Sequence, residues 1–372
     1  MAPIRVAIIG LSPDASIQWA SNAHLPYLLS PEGKAKFEIV ALLNSTVDAA
    51  EAAVRYPAAL AADSEVDFVV NATRVDIHYE TILPSLIAGK DVYVEWPLVD
   101  TLDRTIELAE VAHGTRSRTV VGLQGWFAPA VLKVKEMIVS GRIGSVVGSE
   151  VRAAGGRMAG DVIPIGLRYF TERKAGGNAI TIGLGHLLDF VQFVLGDIQD
   201  ASHRLQIQHP EIKLLDPSTK HIVEVVQSDV PDLVYLTGAL PASEYITSGA
   251  SFNLSFRRGP PVKGEPPLVW DVFGTKGTLR LVAESGAALQ LGGDPIAITV
   301  YDSATADGDK VWSSPEGQEA TKPSKAIGAM YEAYASGDQS TYPDFDHAVK
   351  RRRQLEHILT GFYGNLRSSS AL

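Results

Sequence analysis

Five short, mostly apolar runs in the N-terminal third constrain this chain more than any other feature: Arg5–Ile9, Phe37–Leu43, Val66–Ala72, Asp91–Glu95 and Thr119–Leu123. Each is rich in β-branched residues and apolar without alternation, the pattern of a strand covered on both faces. Between them lie Ala-rich segments, among them Thr46–Val54 and Leu102–Ala112, whose apolar residues recur at helical spacing. Strand–helix alternation of this kind predicts βαβ units and a parallel sheet.

Beyond Gly144 the texture changes. Val146–Ala153, Ala201–Gln208, Ser251–Phe256, Leu268–Phe273, Thr278–Val282 and Ile296–Tyr301 alternate or carry β-branched residues, with few helices between them. This predicts a large, open, mostly antiparallel sheet with a covering helix near His186–Leu195. Arg258–Pro267 reads as a Pro- and Gly-rich loop, Asp307–Lys325 as a polar surface excursion, and Phe345–Tyr363 as a final amphipathic helix. The fold expected is α/β: an N-terminal parallel-sheet domain over residues 1–125, a C-terminal α/β domain over 126–344, and a helix over 345–372 packed back on the body. No internal repeat is visible.

Composition narrows the chemistry. The chain has 372 residues and no cysteine, which removes disulfides, thiol catalysis, Cys-ligated zinc and iron–sulfur clusters. Its formal net charge of −10 disfavours direct contact with nucleic acid or an anionic membrane. The N-terminus runs straight into the first strand without the features of a signal peptide, and no stretch has the length of a membrane span. A soluble cytoplasmic protein is the expectation.

The first strand ends Gly10-Leu11-Ser12-Pro-Asp-Ala15. A dinucleotide-binding turn, G-x-G-x-x-G/A, needs small residues there so that backbone amides can approach a pyrophosphate. Gly10 takes the first position, Ser12 the second, and Ala15 serves as the third. An ordinary strand-to-helix turn explains a single glycine equally well; the location after the first strand is the stronger signal. The second strand ends at Asn44-Ser45, where an NAD site places Asp or Glu on the ribose hydroxyls. With no acidic side chain to repel a 2′-phosphate, the choice tilts to NADP(H) over NAD(H).

Further stations follow in order: His24-x-Pro26, Ala72-Thr73 with His78-Tyr79, Ala88-Gly89-Lys90-Asp91-Val92-Tyr93-Val94-Glu95-Trp96-Pro97, Gly122-x-Gln124-x-Trp126-Phe127-x-Pro129, Gly176-Gly177-Asn178-Ala179, His186-x-x-Asp189 and Phe273-Gly274-Thr275-Lys276-Gly277. The ordered set, covering nearly the whole chain, resembles the Gfo/Idh/MocA oxidoreductase family. The resemblance implies a Rossmann dinucleotide-binding domain, then a substrate domain whose open sheet makes homodimers. It places Gly10, Leu11, Ser12, Ala15, Asn44, Ser45, Ala72, Thr73, His78, Glu95, Trp96 and Gln124 at the cofactor. The family's Glu-Lys-Pro is Glu95-Trp96-Pro97 here, its Asp four residues before the histidine is Ile182, and an Arg common before Pro129 is Trp126. Trp cannot take up or release a proton at working pH, and Ile offers nothing polar. Glu-Trp, Leu123-Gln124-Gly125 and Gly185-His186 without the upstream Asp resemble the galactose-regulon repressors of yeast, a non-catalytic, dinucleotide-binding branch of the family.

Two functions are therefore expected. The first is an NAD(P)H-dependent oxidoreductase of modified mechanism acting on an apolar or aromatic small molecule, with His186 as proton donor, Asp189 orienting it, and Glu95 positioning the ribose. The second is a dinucleotide-binding regulator that acts through a protein partner and works in the nucleus. His186 and Asp189 share a helix face, so a buried pair anchoring that helix is the alternative. No metal site is expected, since the histidines lack ligand spacing. Lys350-Arg351-Arg352-Arg353 reads as the solvated face of the last helix, with Leu355, Ile358 and Leu359 buried; the alternative is a nuclear address. Arg168, Tyr169 and Lys174 are substrate-side candidates or ordinary loop residues.

Overall fold

The computed structural model describes residues 2–11, 19–43, 57–155, 158–291, 295–314 and 323–369, with side chains of the last helix to residue 362. The chain divides into two compact units, Met1–Gln124 with Lys174–Gly177 and Lys322–Glu356, and Gly125–Arg173 with Asn178–Thr321 and His357–Leu372.

The first unit is built on five parallel strands, β1 (Ile4–Ile9), β2 (Phe37–Leu43), β3 (Phe68–Asn71), β4 (Asp91–Glu95) and β5 (Thr119–Gly122), in the order β2-β1-β3-β4-β5. Four of the five are covered on both faces, as continuous apolar runs require. β2 departs from that expectation. It is an edge strand with alternating burial, and Val40 and Leu42 stand exposed. The helices His78–Ile87 (α1) and Leu102–Thr115 (α2) follow β3 and β4. Thr101 caps α2 by accepting from the Arg104 amide, and Arg116 ends it in the left-handed region at φ 61°. The predicted helix Thr46–Val54 lies outside the described residues.

In the second unit, the helix Pro129–Val139 (α3) leads to β6 (Val146–Gly155) and β7 (Val162–Pro164). The buried helix Gly185–Leu195 (α4) precedes β8 (Gln199–Gln206), β9 (Glu211–Leu215), β10 (Ile222–Gln227), β11 (Leu233–Ala239), β12 (Ile246–Arg258), β13 (Leu268–Gly274), β14 (Gly277–Ala283), β15 (Ile296–Asp302) and β16 (Gly308–Ser313). Eight of these form one sheet, β16-β15-β14-β13-β6-β12-β11-β8, antiparallel throughout except where β6 runs parallel to β12. A second sheet, β10-β9-β7, closes a small core of Ile163, Ile212 and Leu214.

Two expectations are corrected. Asp307–Lys325 is not all excursion: it contains β16, and its end opens the helix Pro323–Ser336 (α5). β16 leaves no signal in the sequence because its residues are exposed or half-buried and carry no alternation. α5, whose residues fall within the expected C-terminal domain of 126–344, groups with the first unit. Its Tyr334 stacks on Phe68 at 4.2 Å between ring centroids, and Tyr331 packs against Phe37 and Tyr93 at 5.3 and 5.8 Å. The Tyr334 hydroxyl also donates to Asp91 over 2.7 Å. The helix Phe345–Ser369 (α6) is the last described element. Among the described residues no helix is long and apolar enough to cross a membrane.

Candidate functional site

The strand order of the parallel sheet reverses between β1 and β3, because β1 connects outward to β2 while the chain returns on its other side. A crevice opens at the carboxyl ends of strands at such a switch point, and ligands of open α/β sheets bind there. Gly10 closes β1 at φ +99°, and a Cβ there would stand 2.8 Å from the carbonyl carbon and oxygen of Ala72 and 2.9 Å from the Thr73 amide nitrogen. Only glycine tolerates both the conformation and this approach of two backbones. Beside it, Asn71 Oδ1 accepts from the backbone amide and the hydroxyl of Thr73, at 3.1 and 2.7 Å.

Two buried polar atoms at this edge of the sheet lack a partner among the described residues: Nδ2 of Asn71 and Oε1 of Gln124. Both side chains are essentially inaccessible, 0% and 1% exposed. A buried donor or acceptor left unpaired is costly, so a polar ligand at this edge accounts for both. With the backbone approach at Gly10, these atoms fit a dinucleotide. Gln124 is among the residues the sequence puts forward for the cofactor; Asn71 is not, although a polar residue ending the all-apolar run Phe68-Val69-Val70 is its signal. Ser12, Ala15, Asn44 and Ser45, the other expected cofactor residues of the first two turns, lie outside the described residues. Leu11 is half-buried directly after Gly10.

The segment after β4 is held by its own carbonyls. His78 Nδ1 lies 3.1 Å from both Pro97 O and Leu98 O, and its Nε2 lies 3.0 Å from Thr73 O. Both ring nitrogens thus face backbone carbonyls; burial pushes the imidazole pKa down, and the neutral ring donates its one N–H on one side only. His78, expected at the cofactor, is enclosed by carbonyls of the turns after β3 and β4. The next two carbonyls, of Val99 and Asp100, accept from Arg352. Gly176 (φ +77°) crosses so closely that a Cβ would sit 2.3 Å from the Asp100 Cα, which explains the Gly176-Gly177 pair. Trp96, 5% exposed, is thereby carried on a fixed segment.

Arg352 also corrects the reading of the basic run. Arg351 and Arg352 are buried, and Arg351 bonds His347 and Gln354. Only Lys350 and Arg353 are exposed, so the run is neither a uniformly solvated face nor a fully exposed basic address. Leu355, Ile358 and Leu359 are buried as expected.

Glu95 ends β4 nearly buried, and its Oε1 is 2.8 Å from His24 Nε2; His24 Nδ1 is 2.8 Å from the Tyr331 hydroxyl. Its Oε2 lies over β5, 2.5 Å from where a Cβ of Gly122 would stand.

In the second unit, His186 and Asp189 lie on α4, 8% and 1% exposed, on a helix buried along most of its length. The turn before it is fixed by Asn178, whose side chain accepts from the Ile180 and Thr181 amides while Thr181 Oγ1 accepts from the Asn178 amide. This is a capping box, so the Asn178 station is explained structurally. Trp126 stacks on Phe193 at 4.7 Å, and Lys135 Nζ lies 3.6 Å from the centroid of the same Phe193 ring. Arg168 pairs with Glu224 and Tyr169 packs on Phe170, while Lys174 is exposed.

Comparison with known proteins agrees with this architecture. The family described as oxidoreductase family, NAD-binding Rossmann fold, matches residues 4–123, and the Gal80p C-terminal domain matches residues 129–283. The dehydrogenase aclE of Aspergillus oryzae is 29% identical over 371 residues, 96% of this chain and 95% of that protein. The galactose/lactose metabolism regulatory protein GAL80 of Saccharomyces cerevisiae is 28% identical over 306 residues, 77% of this chain and 68% of that protein. In fold, a super-repressor mutant of Gal80p from Saccharomyces cerevisiae superposes with a TM-score of 0.80 at 24% identity, covering 96% of this chain and 95% of that one. Residues 4–123 are thus similar to the NAD-binding Rossmann domain of the Gfo/Idh/MocA oxidoreductases, and residues 129–283 to the C-terminal domain of Gal80p.

Proposed function

We propose that the protein is an NAD(P)(H)-dependent oxidoreductase. The observation that carries the dinucleotide is the pair of orphaned buried atoms, Asn71 Nδ2 at the end of β3 beside the Gly10 approach and Gln124 Oε1 just after β5. Gly10, Leu11, Ser12 and Ala15 would meet the phosphates, Asn44 and Ser45 a ribose, and Ala72, Thr73, Glu95 and Trp96 the nicotinamide half. The absence of an acidic residue at Asn44-Ser45 favours NADP(H). The bound dinucleotide supplies the hydride; the chain's part is to bind it and move a proton. With Trp96 in the family's Lys position, His186, backed by Asp189, is the residue left to supply that proton. Trp96 and Trp126, standing where the family has Lys and Arg, point to an apolar or aromatic substrate. The near full-length likeness to a dehydrogenase favours catalysis. A cytoplasmic homodimer is part of this reading, by family likeness.

The second reading, a dinucleotide-binding regulator acting through a protein partner, is favoured by the Gal80p-type C-terminal domain and by the loss of the family's Lys and Asp. Titration of Trp fluorescence with NADPH and NADH, followed by turnover on a panel of carbonyls, imines and activated alkenes, separates the two. Binding with turnover is the expected result. Binding without turnover on any class favours the regulator, and no response to millimolar dinucleotide removes both.

A further inference from the structure

The side chains of Glu95, His24 and Tyr331 form one buried chain of hydrogen bonds, linking residues 71 and 307 positions apart. An ionised carboxylate can only accept, so His24 donates from Nε2 to Glu95 Oε1. The neutral imidazole then keeps a lone pair on Nδ1, which accepts from the Tyr331 hydroxyl. Every group is satisfied in this arrangement, and none needs an extra charge in an inaccessible place: His24 is 0% and Tyr331 1% exposed. The far end cannot drift. The Tyr331 ring is stacked on Tyr27 at 5.6 Å and on Tyr93 at 5.8 Å, with Phe37 edge-on at 5.3 Å. The near end cannot rotate freely either, because Oε2 occupies the space that the absent Cβ of Gly122 leaves open.

We infer that His24 and Tyr331 are positioning residues for the dinucleotide site: by pinning Oε1 of Glu95 they leave Oε2 as a fixed acceptor for a hydroxyl of the nicotinamide ribose. The inference rests on the dinucleotide reading above and adds the residues that make Glu95 fit for it. A ring 307 positions from His24, on α5, thus bears on ligand affinity without touching the ligand.

Tyr331→Phe keeps the ring stack and removes only the hydroxyl. In the full-length protein it should weaken NADPH and NADH binding, followed by Trp fluorescence, by about fivefold, the size of one lost neutral hydrogen bond. Glu95→Gln should weaken binding as well, and Tyr331→Phe should add nothing on top of it, because the hydroxyl acts through the carboxylate. Nitrogen-15 NMR of histidine-labelled wild type should show His24 as the Nε2–H tautomer. In Tyr331→Phe its Nδ1 resonance should move towards that of an acceptor without a donor. A wild-type His24 protonated on Nδ1 alone, unchanged binding in Tyr331→Phe, or additive losses in the double variant each overturn the inference while wild-type binding stands. A wild type that binds neither dinucleotide overturns the dinucleotide reading itself, and this inference with it.

Discussion

Arg352 on α6 donates to the backbone carbonyl of Asp100 in the turn after β4, and its second terminal nitrogen serves Val99. The guanidinium is buried in doing so, within a run of four cations that charge pattern alone would leave in water. Two peptide carbonyls gain a donor from one side chain, and an unpaired buried carbonyl costs as much as a missing hydrogen bond.

Replacing Arg352 by Met should therefore cost about 2–4 kcal/mol of stability, through two unmet carbonyls and poorer packing of the side-chain stem. Its exposed neighbour is the control: Arg353→Ala should stay within about 0.5 kcal/mol. Urea unfolding of both variants measures the difference, and equal losses would mean that the buried guanidinium is worth no more than a surface charge.

Gly10→Ala tests the crevice. The new Cβ would meet the Ala72 carbonyl in a backbone conformation that L-residues rarely adopt. A loss of about 1–3 kcal/mol in stability is expected from the strain, with dinucleotide binding weakened about tenfold or more as the turn shifts. Thermal melting and fluorescence titration read the two effects separately.

His78 makes stability pH-dependent with a definite sign. Burial lowers its folded pKa below that of the unfolded chain, near 6.5, so the unfolded state takes up the extra proton first. This contribution to stability is complete above the unfolded pKa and declines as pH falls below about 6.5, by up to ~1.4 kcal/mol per pH unit. Melting temperatures at pH 7.5 and 5.5 should differ less in His78→Gln than in wild type. An equal or steeper dependence in the variant would assign the effect to other groups.

Asn178→Ala removes the capping box before α4. About 1 kcal/mol of stability should go with it, without change in dinucleotide affinity, because the hydrogen bonds it removes are local to the turn. A fluorescence titration that weakens in parallel would assign Asn178 a part in binding.

The strands of the first unit were legible to within a residue or two, since each is a continuous apolar run between helical patterns. β7, β9, β10, β11 and β16 of the second unit are not legible: β7 and β9 are short, and β10 and β16 are exposed or at most half-buried along nearly their whole length. Among the candidate site residues, Gly10, Glu95 and Gln124 are legible as residues at strand ends. His24 was visible as a station, but no role could be given to it, and Tyr331 was invisible. For His78, nothing in its neighbourhood of sequence says that three carbonyls from two turns surround its ring.

By itself, then, the sequence determined a parallel sheet followed by a larger antiparallel one, a glycine at the switch-point turn, and a chemistry without thiols or the family's lysine. These follow from local periodicity and residue type, which act over a few neighbouring positions. Only the tertiary structure decided which partners the buried polar groups take: Glu95 with His24, His24 with Tyr331, Arg352 with Val99 and Asp100. A buried charge must be satisfied wherever the fold brings a donor or acceptor within about 3 Å, and that proximity is set by packing between segments far apart in the chain.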